Sequence, residues 1–370
     1  MNRDQPAIGA TTARTVEIDG VELLAFHGCG YLGLAHDPQV NEAAYAALSR
    51  YGSSALASRR TSGNLELHER LESRLADFMG TEAALVLEDG YLADLAALQG
   101  LAARGHELAV LDADAHPSLV AGATLAGLQC FDYGAGDVTR AVALLDRHAH
   151  LRPLALTDGV FAFHGRLAPI PELLRHLPEG GLLVVDDSHG VGVLGERGRG
   201  ALEVFGAPLE DVVITSSLAK ALGASGGFIA GSFEVIESIR RGAEAFTATS
   251  ALAPAAAAAA LAALARLEAE PERLERLRAN TGQLHRTARR VGRRSTGTFL
   301  PILRISFSDE QGARRLAAAL HVEGIFAPTL SYPGGANAGT VRIAVTSEHT
   351  AHDLRRLEEA LIRHLPEAGH

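Results

Sequence analysis

The chain has 370 residues, of which 47% are hydrophobic and 21% charged, so it is long enough to form two or more compact domains. Its net charge of −10 argues against nucleic acid or an anionic membrane surface as the main partner, and no uncharged apolar stretch is long enough to cross a membrane. Because two cysteines, Cys29 and Cys130, form no disulfide framework and the N-terminus lacks the apolar run of a signal peptide, we expect a cytoplasmic location.

The first predicted elements are a hairpin at residues 15–26, with Asp19-Gly20 as its turn, and a helix after Pro38. Residues 65–79 place leucines and a phenylalanine along one helical stripe. Helical stretches then alternate with short apolar runs: AALVLE, HELAVLD, LQCFDY, PLALTD, GLLVVDD, DVVITS and GGFIAG. Continuous apolar strands between helices predict an α/β fold with a mostly parallel sheet covered on both faces. Ligands of such sheets bind at the carboxyl ends of the strands.

Residues 254–289 are rich in alanine and leucine and predict a long helical segment that links a large domain to a smaller one. The remainder predicts the strands PILRISF, IFAPT and TVRIAVT and two amphipathic helices, which together make a compact α+β domain. The predicted organisation is therefore an N-terminal segment of residues 1–48, a large domain of residues 49–265 and a small C-terminal domain of residues 266–370.

The most informative stretch is residues 184–220, where two neighbouring strands end in chemically reactive side chains. The first strand ends in Asp186, and His189 follows three residues later; the second is followed by Lys220, in a chain where lysine is scarce. An amine with a carboxylate and an imidazole one strand away suits pyridoxal phosphate (PLP), which needs a Schiff-base lysine and an acid facing its ring nitrogen. His189 could donate to the phenolate oxygen of the ring. Asp187 could cap a helix as readily as Asp186, so the choice of acid depends on register.

Other strand ends offer further candidates for the same cofactor. His116 follows one of them, and its flat imidazole could stack on the cofactor ring. Gly90 and Tyr91 lie where a strand turns into a helix, and the N–H groups at a helix N-terminus bind phosphate well. Thr249 and Ser250 are hydroxyls that precede the next long helix and are a second possible phosphate contact.

Arg342, in the strand TVRIAVT, is a candidate for a bidentate clamp on a substrate carboxylate, although spacing alone is equally compatible with a surface strand residue.

Two other kinds of site are not predicted. The histidines show no HExxH pattern and the cysteines no CxxC pattern, so no metal site is expected. The GERGRG stretch has the wrong glycine order for a dinucleotide-binding loop and is interpreted as turns.

Taken together, these motifs resemble the α-oxoamine synthase family of fold-type I PLP enzymes. The resemblance runs from about Gly30 to the end of the chain. Its landmarks, in the order of the family, are GYLGLAHDP, SRRTSGNLELHERLE, EDGYLAD, DADAHPSL, TDGVFAFHG, VDDSHGVGVLGERGRG, SSLAKALGASGG, TSALAP and VRIAVTSEHT. The resemblance implies a large domain with a mostly parallel seven-stranded sheet sandwiched by helices, plus a smaller α+β C-terminal domain.

The resemblance also implies roles for the residues around the cofactor ring. Lys220 would form the Schiff base with PLP, and His116 would stack over the ring. Asp186 would pair with the ring nitrogen and His189 with the ring oxygen. These four residues are the predicted catalytic set.

Further roles implied by the resemblance concern phosphate, substrate and partner subunit. Ser217 lies where the family has a phosphate-binding threonine or serine. Thr249 and Ser250 would bind the phosphate of the partner subunit, because the resemblance implies a homodimer with shared active sites. Arg342 matches the second arginine of the C-terminal strand of the family, which holds the carboxylate of the amino acid.

Three positions depart from the family pattern. Cys29 stands where the family usually has asparagine, Ala162 where it has serine, and Asp94 where it has asparagine. The first two positions help to hold the substrate carboxylate or the cofactor, so Arg342 has less help in this chain. Each missing hydrogen bond to a charged group costs about 1.5–3 kcal/mol.

The leading functional prediction is condensation of an amino acid with an acyl thioester, either acyl-CoA or acyl-carrier protein, with decarboxylation to give an α-amino ketone. In this reaction Lys220 removes the Cα proton as a base and later returns a proton as an acid. The alternative keeps the cofactor but makes the chain a lyase, racemase or decarboxylase without acyl transfer. A third possibility, a non-catalytic homologue, is weaker because all four catalytic candidates are present.

Overall fold

The computed structural model describes residues 6–293, 299–330 and 339–365. The strands are β1 Ala10–Thr11, β2 Thr15–Ile18, β3 Val21–Ala25, β4 Ala83–Leu87, β5 Leu108–Leu111, β6 Gln129–Asp132, β7 Leu154–Asp158, β8 Val160–Phe161, β9 Arg166–Leu167, β10 Leu182–Asp186, β11 Val212–Ser217, β12 Gly227–Gly231, β13 Ile302–Ser306, β14 Ile325–Phe326, β15 Thr329–Leu330 and β16 Thr340–Ala344. The helices are α1 Pro38–Tyr51, α2 Glu66–Met79, α3 Gly90–Ala103, α4 Pro117–Leu125, α5 Val138–Arg147, α6 Ile170–Arg175, α7 Ala201–Phe205, α8 Phe233–Gly242, α9 Glu244–Thr247, α10 Pro254–Ala269, α11 Pro271–Arg290, α12 Glu310–Val322 and α13 Ala351–His364.

The chain folds into two compact units that do not follow the chain order. The larger unit contains Asp37–Phe161 and Arg166–Ala269, and the smaller contains the described residues of Met1–His36, Ala162–Gly165 and Glu270–His370. The sequence had assigned residues 1–48 to a segment of their own. In the structure β3 pairs in parallel with β14, while α1 packs against α10, so the N-terminal residues divide between the two units.

A seven-stranded sheet forms the centre of the larger unit, in the order β4-β12-β11-β10-β7-β5-β6. Only β12 runs antiparallel to its neighbours β11 and β4. All residues of β5, β10 and β12 are buried, as expected for strands covered on both faces. The predicted α/β fold with a mostly parallel seven-stranded sheet is confirmed, and the carboxyl ends of β5, β7, β10 and β11 lie at one edge.

Helix α3 packs very closely within this unit because glycines remove side chains at its contacts. A Cβ on Gly100 would lie 2.4 Å from Cα of Ile239 in α8, and one on Gly122 of α4 would lie 3.2 Å from the carbonyl oxygen of Asp94. The packing fixes α3 against two helices, and α3 carries Gly90 at its first turn and Asp94 one turn later. The stripe predicted for α2 is buried as expected.

The smaller unit contains a sheet of order β1-β2-β3-β14 and a three-stranded sheet of order β13-β16-β15. The predicted hairpin is β2 and β3, with Asp19 at φ 50° and Gly20 at φ 77°, the positive angles that a two-residue hairpin turn favours. A core shared by α11, α12, α13 and the strands β13 and β16 holds this unit together.

The helical segment predicted for residues 254–289 is confirmed and consists of two helices. Helix α10 ends at Ala269, and α11 begins at Pro271. Proline disfavours helical geometry in the preceding residue, here Glu270, and is well tolerated as the first residue of a helix.

The GERGRG stretch forms turns, with Gly195, Gly198 and Gly200 at positive φ. Among the described residues, no helix combines the length and apolar character needed to cross a membrane.

Candidate active site

Three adjacent strands place polar side chains side by side at the carboxyl edge of the large sheet. Asp186, the last residue of β10, pairs with Asp158 at the end of β7 and with Thr215 near the end of β11. Lys220 follows three residues after the end of β11 and is half-buried. The apolar strands therefore deliver two carboxyl groups, a hydroxyl and an amine to one edge.

Three side chains from different elements meet here: Asp94 of α3, His116 at the start of α4 and Asp186 of β10. One ring nitrogen of His116 and one oxygen of each carboxyl group all lie within 4.8 Å of one another. Burial, together with the negative charge of Asp186, raises the pKa of Asp94 and of Asp158 well above the ordinary range. The positive charge of Lys220 opposes both shifts. The site thus contains more carboxyl groups than the charge of Lys220 can neutralise. This excess fits a cofactor whose ring nitrogen carries a proton.

The neighbouring acids Asp186 and Asp187 point to different surroundings. Asp186 accepts a hydrogen bond from the N–H of Ser188 at 3.0 Å and faces the site. Asp187 accepts from the N–H of Ala201 at 2.7 Å, at the start of α7. Burial raises the pKa of Asp187 to about 8. The structure therefore supports Asp186 as the acid of the site and gives Asp187 a capping role.

Gly90 and Ser217 meet at the N-terminus of α3. A Cβ on Gly90 would lie only 3.0 Å from Cβ of Ser217, and the Ser217 hydroxyl accepts from the N–H of Ala219 at 3.1 Å. Asp89 caps the helix by accepting from the N–H of Leu92 at 2.8 Å. The N-terminal N–H groups, the positive end of the helix dipole and a hydroxyl make a suitable phosphate cradle. The Tyr91 side chain, next in the helix, is exposed.

His116 caps α4 and is tied to the sheet through its backbone. Its N–H donates to Oδ1 of Asp158 at 2.8 Å. Its Nδ1 lies 2.5 Å from the Ser118 hydroxyl, which in turn lies 2.5 Å from Oδ2 of Asp94. Burial lowers the pKa of His116, so its ring is neutral near pH 7. His116 is thus held by one contact to its backbone and another to its ring, at the edge where the strands end.

The remaining predicted residues of the larger unit lie in turns and loops. His189 occupies the turn that follows β10 and is half-buried. Thr249 and Ser250 follow α9; the Thr249 hydroxyl donates to the carbonyl oxygen of Ala245 at 2.8 Å, and Ser250 is exposed. Their predicted contact with the phosphate of a partner subunit stays a prediction.

The smaller unit brings Arg342 and Cys29 together. The Arg342 guanidinium donates to the carbonyl oxygen of Gly28 at 2.8 Å and lies 3.3 Å from Sγ of Cys29. Tyr31, fully buried, hydrogen-bonds to both side chains, and burial raises its pKa well above the ordinary range. The departure at Cys29 therefore directly changes the surroundings of Arg342.

Ala162 lies in the turn between β8 and β9, next to Phe163. The Arg304 guanidinium sits 3.3 Å from the ring centroid of Phe163 and donates to its carbonyl oxygen. Arg304 also pairs across strands with Arg342. Sequence reasoning missed Arg304, Ser118 and Thr215. Ser118 lies within the DADAHPSL motif, but the motif by itself gives it no role, and only the fold brings the three near the predicted residues.

A lysine after one strand, an acid at the end of the next and a phosphate cradle at a helix N-terminus define a PLP-dependent transferase of fold type I. The profile of the aminotransferase class I and II family matches residues 29–361. The chain is 38% identical over 349 residues to a putative 8-amino-7-oxononanoate synthase of Desulfovibrio desulfuricans, covering 92% of this chain and 89% of that one. It is 36% identical over 361 residues to 8-amino-7-oxononanoate synthase of Methylococcus capsulatus, covering 95% and 92%.

The fold comparison agrees with the sequence comparison. Serine palmitoyltransferase of S. paucimobilis superposes with a TM-score of 0.92 at 26% identity, covering 98% of this chain and 93% of that one. The chain belongs to the α-oxoamine synthase family, and its cofactor is PLP. The family resemblance read from the motifs is thereby confirmed.

Proposed function

We propose that this protein is a PLP-dependent acyltransferase that condenses an amino acid with an acyl thioester, loses CO₂ and releases an α-amino ketone. The observation that carries the proposal is the convergence of Asp186 and His116 at one sheet edge, with Lys220 close enough for its charge to act on His116, in a chain of this family. Cleavage, racemisation or decarboxylation without acyl transfer is not favoured, because the relatives are named as synthases.

Each polar group of the site has a distinct task in this reaction. When bound, PLP withdraws electrons from the α-carbon of the amino acid. Asp186 would hold the proton of the ring nitrogen, and His116 would orient the ring. Lys220 would hold the cofactor through Nζ, and the same amine would serve as the base that takes the α-carbon proton and as the acid that returns one after CO₂ has left. Arg342 holds the substrate carboxylate with its guanidinium.

The names of the relatives support a particular substrate pair. In 8-amino-7-oxononanoate the amine sits on a carbon that bears a methyl group, and the ketone ends a seven-carbon chain with a terminal carboxylate. A decarboxylating condensation builds that skeleton from alanine and the thioester of a seven-carbon dicarboxylic acid. We therefore infer alanine as the amino acid and this acyl group as the donor, carried on CoA or on an acyl-carrier protein.

The working form we propose is a cytoplasmic homodimer with shared active sites. Support for the dimer comes from the family and from the exposed position of Ser250 beside Thr249, both of which are assigned to the phosphate of the partner subunit. Support for the cytoplasm comes from the two cysteines, which are free in the structure.

Cofactor attachment can be tested sharply because Lys220 is the only lysine in the chain. Purified protein should show a visible absorption band, and borohydride reduction should leave pyridoxyl on the peptide containing Lys220. Lys220→Ala should lose both signals while keeping its fold. A protein that takes up no PLP, or a Lys220→Ala variant with the parent turnover rate, would contradict the proposal.

The reaction itself is tested by product analysis. The protein is incubated with alanine, glycine or serine, each with and without an acyl donor. The donors are the CoA and carrier-protein thioesters of the seven-carbon dicarboxylic acid and of a short monocarboxylic acid. Mass spectrometry should detect a nine-carbon amino ketone only with alanine and the dicarboxylic donor. Amino-acid turnover without carbon–carbon bond formation from CoA or carrier-protein thioesters would support the alternative reactions instead.

A further inference from the structure

A continuous chain of polar contacts links Asp94 to the ring of His116. Asp94 is 1% exposed, and each of its carboxyl oxygens meets one hydroxyl: Oδ1 lies 2.5 Å from Oγ1 of Thr215, and Oδ2 lies 2.5 Å from Oγ of Ser118. The same Ser118 oxygen lies 2.5 Å from Nδ1 of His116. One hydroxyl therefore connects a buried carboxyl group to the predicted stacking imidazole.

A serine hydroxyl has one proton to donate, so the contact from Oδ2 of Asp94 through Ser118 to Nδ1 of His116 has two arrangements. If Oδ2 carries no proton, Ser118 donates to it, and Nδ1 of His116 must carry a proton to donate to Ser118. If Oδ2 is protonated, it donates to Ser118, and Ser118 donates to a bare Nδ1. In the second arrangement the proton of the neutral ring is on Nε2. Protonation of Oδ2 and the tautomer of His116 are thus coupled.

Two observations favour the second arrangement. The backbone N–H of Ser118 also points at Nδ1 of His116, at 3.4 Å, which requires a lone pair on that nitrogen. Burial and the charge of Asp186 raise the pKa of Asp94, with Lys220 acting in the opposite direction, and this favours the protonated carboxyl. Asp158 is a further carboxyl group in the cluster, and besides burial and the charge of Asp186, the charge of Asp94 contributes to raising its pKa.

We propose that Asp94 carries a proton in the resting site and, through Ser118, holds His116 in the tautomer with the proton on Nε2. Asp94 is then a positioning residue for His116. An asparagine, which the family resemblance gives at this position, would donate its amide N–H to Ser118 at every pH. Aspartate makes the same donation conditional on its proton, so the ring of His116 changes tautomer when the site becomes alkaline.

The importance of this switch for catalysis rests on the proposed function, but its test does not require turnover. The full-length protein is labelled with ¹⁵N-histidine, and the ring nitrogens are observed by NMR with PLP bound and after its removal. His116→Gln serves only to assign the signal. In the wild type near neutral pH, Nε2 should bear the proton, and raising the pH should move it to Nδ1. Asp94→Asn should keep the proton on Nε2 throughout.

Two further variants separate the polar chain from general electrostatics. Asp158→Asn removes a neighbouring carboxyl that bonds the backbone of His116 rather than its ring, so the pH-dependent change should persist. Ser118→Ala cuts the chain, so the tautomer should stop following the charge of Asp94. A protonated Nδ1 at neutral pH in the wild type, or the same pH profile in Asp94→Asn, would overturn the proposal and leave the acyltransferase assignment intact.

Discussion

At the scale of single residues, two adjacent aspartates serve different purposes because β10 ends between them. Asp186 closes the strand beside Asp158 and Thr215, whereas Asp187 leaves it and turns to α7. Three glycines leave room for the Asp187 carboxyl, since a Cβ on Gly159, Gly190 or Gly200 would lie 2.3, 2.0 or 1.8 Å from one of its oxygens. A buried carboxyl in so tight a space should affect stability more than chemistry.

Asp187 should make the protein less stable as the pH rises. Its pKa is about 8 in the folded protein, against about 4 for an unfolded chain, so between these values the folded state holds a proton that the unfolded state has lost. The free energy of unfolding should therefore fall by about 1.4 kcal/mol per pH unit from this group alone. Asp187→Asn should remove that slope in urea unfolding of the cofactor-free protein between pH 5 and pH 8. The exposed Asp211→Asn should keep it, and equal slopes in both variants would contradict the assignment.

Cys29 should limit the affinity for the amino acid. Its thiol lies 3.3 Å from the Arg342 guanidinium, and sulfur is a weak acceptor, so the arginine is held less firmly than by an amide oxygen. Cys29→Asn restores the family residue and should lower the KM for the amino acid about fivefold, which corresponds to about 1 kcal/mol for one hydrogen bond. The exposed Cys130→Ser is the matched control and should leave KM unchanged. A raised KM in Cys29→Asn would mean that the pocket is built around the thiol.

At the scale of elements, helix α3 performs two tasks at positions one turn apart. Its first turn approaches Ser217 through Gly90, and its next turn buries Asp94 against Ser118 and Thr215. The helix can serve both because its small residues allow close packing on α4 and α8. A small change in its position would alter the phosphate cradle and the polar chain together.

Gly90→Ala should weaken PLP binding. The added Cβ would lie 3.0 Å from Cβ of Ser217, so the cradle must open before a phosphate can approach the helix N-terminus. The apparent Kd for PLP, measured by absorbance titration, should rise about tenfold, equivalent to about 1.4 kcal/mol. Gly282→Ala, at a helical glycine outside the cradle, provides the control and should leave the Kd unchanged. Unaltered affinity in Gly90→Ala would place the phosphate elsewhere.

At the scale of the whole molecule, the division into units does not follow chain order. Residues from the start of the chain, from the turn 162–165 and from the C-terminal third make up the smaller unit. In the proposed dimer, Thr249 and Ser250 of one subunit belong to the site that contains Lys220 of the other. Such sharing can be tested only in a dimer whose two subunits carry different substitutions.

Two inactive variants should complement each other. Lys220→Ala lacks the amine, and the double variant Thr249→Ala with Ser250→Ala lacks the proposed phosphate contacts. If sites are shared across a two-fold dimer, each mixed dimer contains one intact site, so unfolding and refolding an equal mixture should restore about a quarter of the wild-type activity. Lys220→Ala refolded alone is the control. Activity no higher than the sum of the separate variants would show that each site belongs to one subunit.

Much of this architecture follows from short stretches of sequence. The apolar runs that became β4, β5, β7, β10, β11 and β12 were recognisable because a doubly covered strand is apolar on both faces. The helical segment of residues 254–289 was recognisable from its composition, and Pro271 divides it into two helices because proline disfavours helical geometry in the preceding residue. The two short strands around residues 160–167 carry no periodic signal and were not predicted.

The sequence by itself determined the order of strands and helices and the family, and it predicted the lysine of the site, because periodicity, turn residues and motif spacing act over a few residues of chain. Only the tertiary structure showed the different surroundings of Asp186 and Asp187, joined Asp94 to His116 through Ser118, and placed Cys29 against Arg342. These pairings depend on distances of a few ångströms between residues far apart in the chain. Such distances are fixed by the packing of whole elements and leave no mark in a local pattern.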